Sequence, residues 1–206
     1  MVATMSLDAD TQEELRLHSL YVQSGGKEGQ LLGVRYLDLE GEDLENVILA
    51  GAELPEAFMD RANLTGADLF SCNLAGAALN QARLVGANLA KATLEKASLR
   101  RAQLSGANLV RTILLDADLS GADLRKADMT RCYARNADFS SAILEGCDVS
   151  GANLTGARFW ATNLRGAHGV DTASADYIDL GKAAGAELLH GAEALDWLRG
   201  RAGENL

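Results

Sequence analysis

The chain has 206 residues, a net charge of −10, 48% hydrophobic residues and a single proline. That is enough for one domain, or two small ones, around a continuous core. The acidic stretch from Met1 to Glu14 contains no apolar run of signal-peptide length, and no later segment matches a bilayer span, so a cytoplasmic location without membrane contact is expected. The Asn-x-Thr sequons at Asn63 and Asn153 then carry no glycosylation signal.

The first predicted element is a helix in "TQEELRLHSLYVQSGG". Thr11 and Glu14 stand in capping-box spacing, Leu15, Leu17 and Leu20 supply an apolar side, and Gly25 and Gly26 mark the stop. This helix and its linker, residues 1–36, are expected to lid the N-terminal end of the core. Ser24 to Lys27 spells S-x-x-K, but the companion motifs of that catalytic set are missing, so a helix stop is the better reading.

From Leu39 to Leu164 the chain keeps a period of five without insertion. Of 26 consecutive centres 20 are Leu, the others being Met59, Met129, Ala134, Phe139, Val149 and Phe159. Two places before the centre stands Ala in 18 of the 26 units, and one place before it Asp or Asn in 14. Five residues advance a helix by about 140° and carry a straight strand to its opposite face, so neither element repeats with this period. The backbone must turn once per five residues, with every centre and every small residue pointing inward and coils stacked as a parallel β-solenoid. Asp and Asn suit the slot before the centre because their short side chains bond backbone groups at turns. Cys72, Cys132 and Cys147 fall in the small inward slot and read as buried hydrophobes.

After Gly166 the segment "HGVDTASADYIDLG" leaves this register. The next stretch, "AELLHGAEALDWLRG", reads as a helix with Leu188, Ala192, Leu195 and Leu198 on one side and Trp197 nearly opposite. Residues 167–206 are therefore expected to cap the second end. An apolar face left over, with Leu189 and Trp197 as its candidate contacts, suggests a homodimer through this segment.

Units such as "ANLTG", "ADLSG", "ADLRK" and "ANLVR" resemble those of the pentapeptide repeat family, over roughly residues 37–166. The resemblance implies an all-β fold, a right-handed quadrilateral parallel β-helix with four pentapeptides per coil. It also implies binding rather than catalysis, since members of the family bind DNA gyrase or topoisomerase IV and protect them from quinolones or peptide toxins as mimics of acidic duplex DNA. C-terminal dimer contacts are known in the family as well.

Chemistry-bearing groups are sparse. His18, His168 and His190 are far apart, no His/Cys/Asp group has metal-ligand spacing, and neither a catalytic site nor a cofactor is expected. A non-catalytic protein-interaction or scaffolding solenoid is the first reading, and topoisomerase protection as a DNA mimic the second. Charge divides the chain. Residues 38–60 hold eight carboxylates and no base, which marks Glu40, Glu42, Asp43, Glu45, Glu53 and Glu56 as a candidate surface for a basic partner. A second candidate is Ile113, Leu115, Tyr133 and Arg135, which share one face under 20-residue stacking, flanked by Arg111 and Arg131. Direct nucleic-acid binding is disfavoured, because the bases of the middle coils are mixed with acids.

Overall fold

The computed structural model of the chain describes residues 7–181 and 186–203. Parallel bridges join residues 20 apart, beginning with Gly33 and Glu53 and running without a break to Asp148 and His168. Each coil thus has four five-residue sides. We name the sides by their centres: the first carries Leu39 through Phe159, the second Leu44 through Leu164, the third Leu49 through Val149, and the fourth Leu54 through Leu154.

One unit explains why the pattern folds this way. In Ala117–Gly121 the Ala117 N–H bonds the carbonyl of Leu114 at the preceding turn, Asp118 N–H that of Ala97 in the coil below, and Leu119 N–H that of Asp138 in the coil above. Gly121 N–H bonds Ser140, also above. The remaining donor, Ser120 N–H, is taken by the Asp118 side chain at 2.9 Å. All five backbone donors of the unit are satisfied, one of them by a side chain, so the Asp or Asn before the centre is a staple rather than decoration. The same bond recurs at Asp68, Asn73, Asp128, Asp138, Asp148 and Asn153.

The residue two places after each centre is left-handed in every unit. Eleven of these corners are glycine; the fifteen others, among them Lys91, Arg111 and Arg131, hold φ between 54° and 61°. Inside, the centres and small residues from Leu49 to Phe159 form one buried core, in which Phe139 and Phe159 stack at 5.5 Å. Thr112 and Thr162, the two threonines of the small slot, donate to the carbonyls of Leu89 and Phe139 in the coil below.

The ladder outlasts the in-phase centres. A short 3-10 helix, Val170–Thr172, absorbs one extra residue, after which Asn153 pairs with Ser174 and Arg158 with Asp179, 21 residues apart. Gly169, at φ 78°, makes the insertion possible: a Cβ there would lie 2.1 Å from Ser150 Oγ and 2.5 Å from its backbone nitrogen.

Helices meet both ends of the core. Helix α1, Ala9–Gln23, starts three residues earlier than expected, because Asp8 is its cap and accepts from both the N–H and the hydroxyl of Thr11. Ser24 closes it, its hydroxyl bonding the Tyr21 and Glu28 carbonyls, which is what the S-x-x-K spacing amounts to. His18 is fully buried, its Nδ1 accepting from Leu32 N–H. At the other end the expected long helix is split. Strand β1, Tyr177–Asp179, pairs antiparallel with strand β2, Leu188–His190, and only Gly191–Ala202 is helix α2. Leu188 therefore lies on a strand edge, 46% exposed. Ala194, Leu198 and Ala202 are buried against the last coil, and Ala202 accepts from Gly166 N–H.

Candidate interaction surface

The two charged or apolar groupings fare differently. The acidic residues do not share a surface. Glu40 lies on the first side, Asp43 and Glu45 on the second, and Glu53 and Glu56 on the fourth and its corner. Glu42 is not outward at all: two places before Leu44 it takes the inward slot, and it is 8% exposed. Several of the rest are engaged. Arg35 pairs with Glu56 at 2.6 Å and Arg61 with Glu40, while Asn63 and Asn73 donate to Asp43 and Glu53, each at 2.7 Å. The bases that the 38–60 stretch lacks are thus supplied by its neighbours in space.

Ile113, Leu115, Tyr133 and Arg135 do come together, all on the fourth side, with Ile113 bridged directly to Tyr133. Tyr133 is 52% exposed and the two aliphatic side chains are half-buried. Lys91, Arg111 and Arg131 form a column along the adjoining corner, one per coil and about 4.8 Å apart. Neither these three cations nor Arg135 has a carboxylate within 4.0 Å among the described residues, whereas Arg35, Arg61, Arg100, Arg125, Arg158 and Arg199 are all ion-paired.

Sequence reasoning missed two other exposed aromatic groups. Tyr36 and Phe58 stack at 6.5 Å beside the acidic coil, with Arg35 4.9 Å over the tyrosine ring. Phe58 occupies a slot where Asp or Asn is the rule, so the register held the signal. Trp160 sits at the end of an open groove of about 840 Å³ on the first side, with Arg100, Asp118, Asp138 and Arg158 along it. Burial pushes the Asp118 carboxyl up, but its bonds to Ser120 and Arg100 outweigh burial and hold it below the usual range.

The expected dimer contacts point inward. Trp197 lies 6.2 Å from the Phe159 ring and Leu189 packs on the core, because the last coil needs an apolar lid more than the helix needs a free face. The three thiols are buried, and burial raises Cys72 and Cys132 to about 12.

The profile of the pentapeptide repeats matches in eight copies, over residues 35–66, 67–102, 97–133 and 135–168. The chain belongs to the pentapeptide repeat family. A comparison with curated proteins finds no match. Among solved structures, two trypsin-treated forms of QnrB1, a plasmid-mediated fluoroquinolone resistance protein, are similar. One is 18% identical with a TM-score of 0.60, covering 86% of this chain and 99% of that one; the other is 19% identical with a TM-score of 0.58, covering 67% and 77%. A pentapeptide repeat protein of the Arabidopsis thaliana thylakoid lumen is 26% identical with a TM-score of 0.38, covering 54% of this chain and 67% of that one. The QnrB1 likeness is one of fold, the four-sided β-helix of pentapeptide repeat proteins. No described helix is long and apolar enough to cross a membrane.

Proposed function

We propose that this pentapeptide repeat protein is a non-catalytic protein-binding solenoid of the cytoplasm. Two of every five positions make the core, and the remaining three are free of its demands. The observation that carries the reading is the fourth side, where Ile113 and the exposed Tyr133 are bridged in adjacent coils beside cations that have no carboxylate partner among the described residues. Nucleophilic groups support no chemistry in turn, since Cys72, Cys132 and Cys147 are buried with raised pKa values. The test is capture from a bacterial lysate on immobilised protein, with and without excess free protein. A binding solenoid retains a specific protein that the free chain competes away; failure to retain one overturns the reading.

Topoisomerase protection is the second reading, favoured by the fold match to nearly the whole of a trypsin-treated form of QnrB1. The charge pattern speaks against a uniform DNA replica. A duplex carries one charge per about 1.7 Å, so about 18 over a rod of about 31 Å. Residues 38–166 instead combine 17 carboxylates with 13 bases. A gyrase supercoiling assay with ciprofloxacin and increasing amounts of the protein decides: no change in supercoiling, inhibition or drug relief eliminates this reading. A homodimer through the C-terminal segment would rest on the exposed edge at Leu188 rather than on Leu189 or Trp197. Light scattering tests it.

A further inference from the structure

On the fourth side two unpartnered backbone donors stand beside unpaired arginines. Where Asp or Asn precedes the centre, its side-chain oxygen reaches the N–H two residues on, as Asn153 does for Thr155 at 3.1 Å. Ile113 and Tyr133 have no such oxygen. The N–H groups of Leu115 and Arg135 accordingly have no hydrogen-bond partner among the described residues, as is also true of Val85, Glu95, Ser105, Glu145 and Trp160; what sets these two apart is that they stack in adjacent coils beside the unpaired Arg111, Arg131 and Arg135. Asp116, the carboxylate closest in sequence, is held by Asn136 Nδ2 at 3.0 Å instead.

We propose that this side is a docking surface for an acidic segment of a partner protein, whose carboxylates occupy the two vacant staple positions. What the patch offers is chiefly donors: two outward N–H groups, and the unpaired guanidinium groups of Arg111, Arg131 and Arg135. An incoming carboxylate at the place of the missing Asp oxygen accepts from Leu115 or Arg135 N–H and lies beside the corner arginines. Charge-assisted bonds of this kind are the stronger ones. Tyr133 and Leu115 supply the apolar anchor that hot spots need. The corner arginines are held in the left-handed region where glycine is easier, so their placement carries a conformational cost. A protein segment fits better than nucleic acid. The donor patch spans two adjacent coils, about 5 Å apart, whereas the neighbouring third side carries Asp68, Asp128 and Asp148, which repel a longer phosphate backbone. This surface deepens the protein-binding reading and rests on it.

The experiment uses the full chain and fluorescence anisotropy at low salt, with a fluorescein-labelled random copolymer of glutamate and tyrosine as probe and oligothymidine as the nucleic-acid arm. The wild type is expected to bind the copolymer, less tightly as salt rises. Arg111→Glu with Arg131→Glu is expected to weaken binding about tenfold or more. Ile113→Asn with Tyr133→Asn restores both staples without changing charge; it too is expected to weaken binding about tenfold, with an equal or higher melting temperature. Arg83→Glu with Arg165→Glu makes the same charge change on the second side and is expected to leave binding intact. No binding of the copolymer by the wild type, equal loss in the second-side control, or tighter binding of oligothymidine that depends on Arg111 and Arg131 overturns the proposal. If the copolymer fails while lysate capture still retains a competed protein, the surface assignment falls and the protein-binding reading stands.

Discussion

Gly86 and Ala161 occupy equivalent corner slots, at φ 66° and 55°. A Cβ at Gly86 meets nothing within 4 Å, so Gly86→Ala isolates backbone strain from clash. It is expected to lower stability by about 1 kcal/mol, and Ala161→Gly to raise it by up to about 1 kcal/mol, less the entropy glycine adds to the unfolded chain. Urea midpoints check both. Leu89 is fully buried, and Leu89→Ala is expected to remove about 2 to 5 kcal/mol; an unchanged midpoint would contradict its inward position. At this scale the sequence is highly legible, because a period of five leaves only one way to keep all the leucines inside. Glu42 shows where reading by composition fails. Grouped with its acidic neighbours it looks like surface, while its place two before Leu44 puts it in the inward slot. The vacant staples are also visible in the sequence, as Ile113 and Tyr133 in the Asp/Asn column; what sequence lacks is which backbone donor each Asp side chain serves.

Helix α1 meets the first coil through a buried histidine, and this makes its docking depend on pH. Burial lowers the His18 pKa from 6.5, with the carbonyls of Ala50 and Leu49 opposing only in part. The folded state therefore favours neutral imidazole, while the unfolded chain takes up a proton near 6.5. The stabilisation is fully present above that pH and is lost as pH falls below it. The hydrogen-exchange protection factor of the Leu32 amide, bonded to Nδ1, is expected to fall on acidification, and His18→Asn to flatten the dependence. At the other end Trp197→Ala is expected to cost about 2 kcal/mol by uncovering Phe159, read from the thermal midpoint. The helices are legible as caps but not in their bounds. Asp8 captures the N-terminus ahead of Thr11, and β2 takes Leu188–His190 from α2 because Tyr177–Asp179 offers it a ladder. An amphipathic pattern shows that a face is covered, not by what, which is why Trp197 looks free in the sequence alone.

Because each coil touches only its neighbours, the rod tolerates change along its length as other repeat proteins do. Removing Ala87–Gly106, one whole coil, is expected to leave circular dichroism unchanged and to lower the melting temperature modestly. Removing four residues instead throws every later leucine out of its inward slot, and a cooperative transition should vanish. The extra residue before Ser174 survives only with Gly169 and a 3-10 turn to absorb it.

The five-residue side also makes the rod an indexing device. A deletion of five, such as Ala62–Gly66, keeps every core slot filled yet turns each later unit by one quarter about the axis. The tyrosine and arginine patch would then face a new direction relative to the acidic end, with the same residues in the same coils. Lengthening or shortening by single units thus re-aims a surface without redesigning it, and the order in which two surfaces present themselves to one partner is written in the number of fives between them.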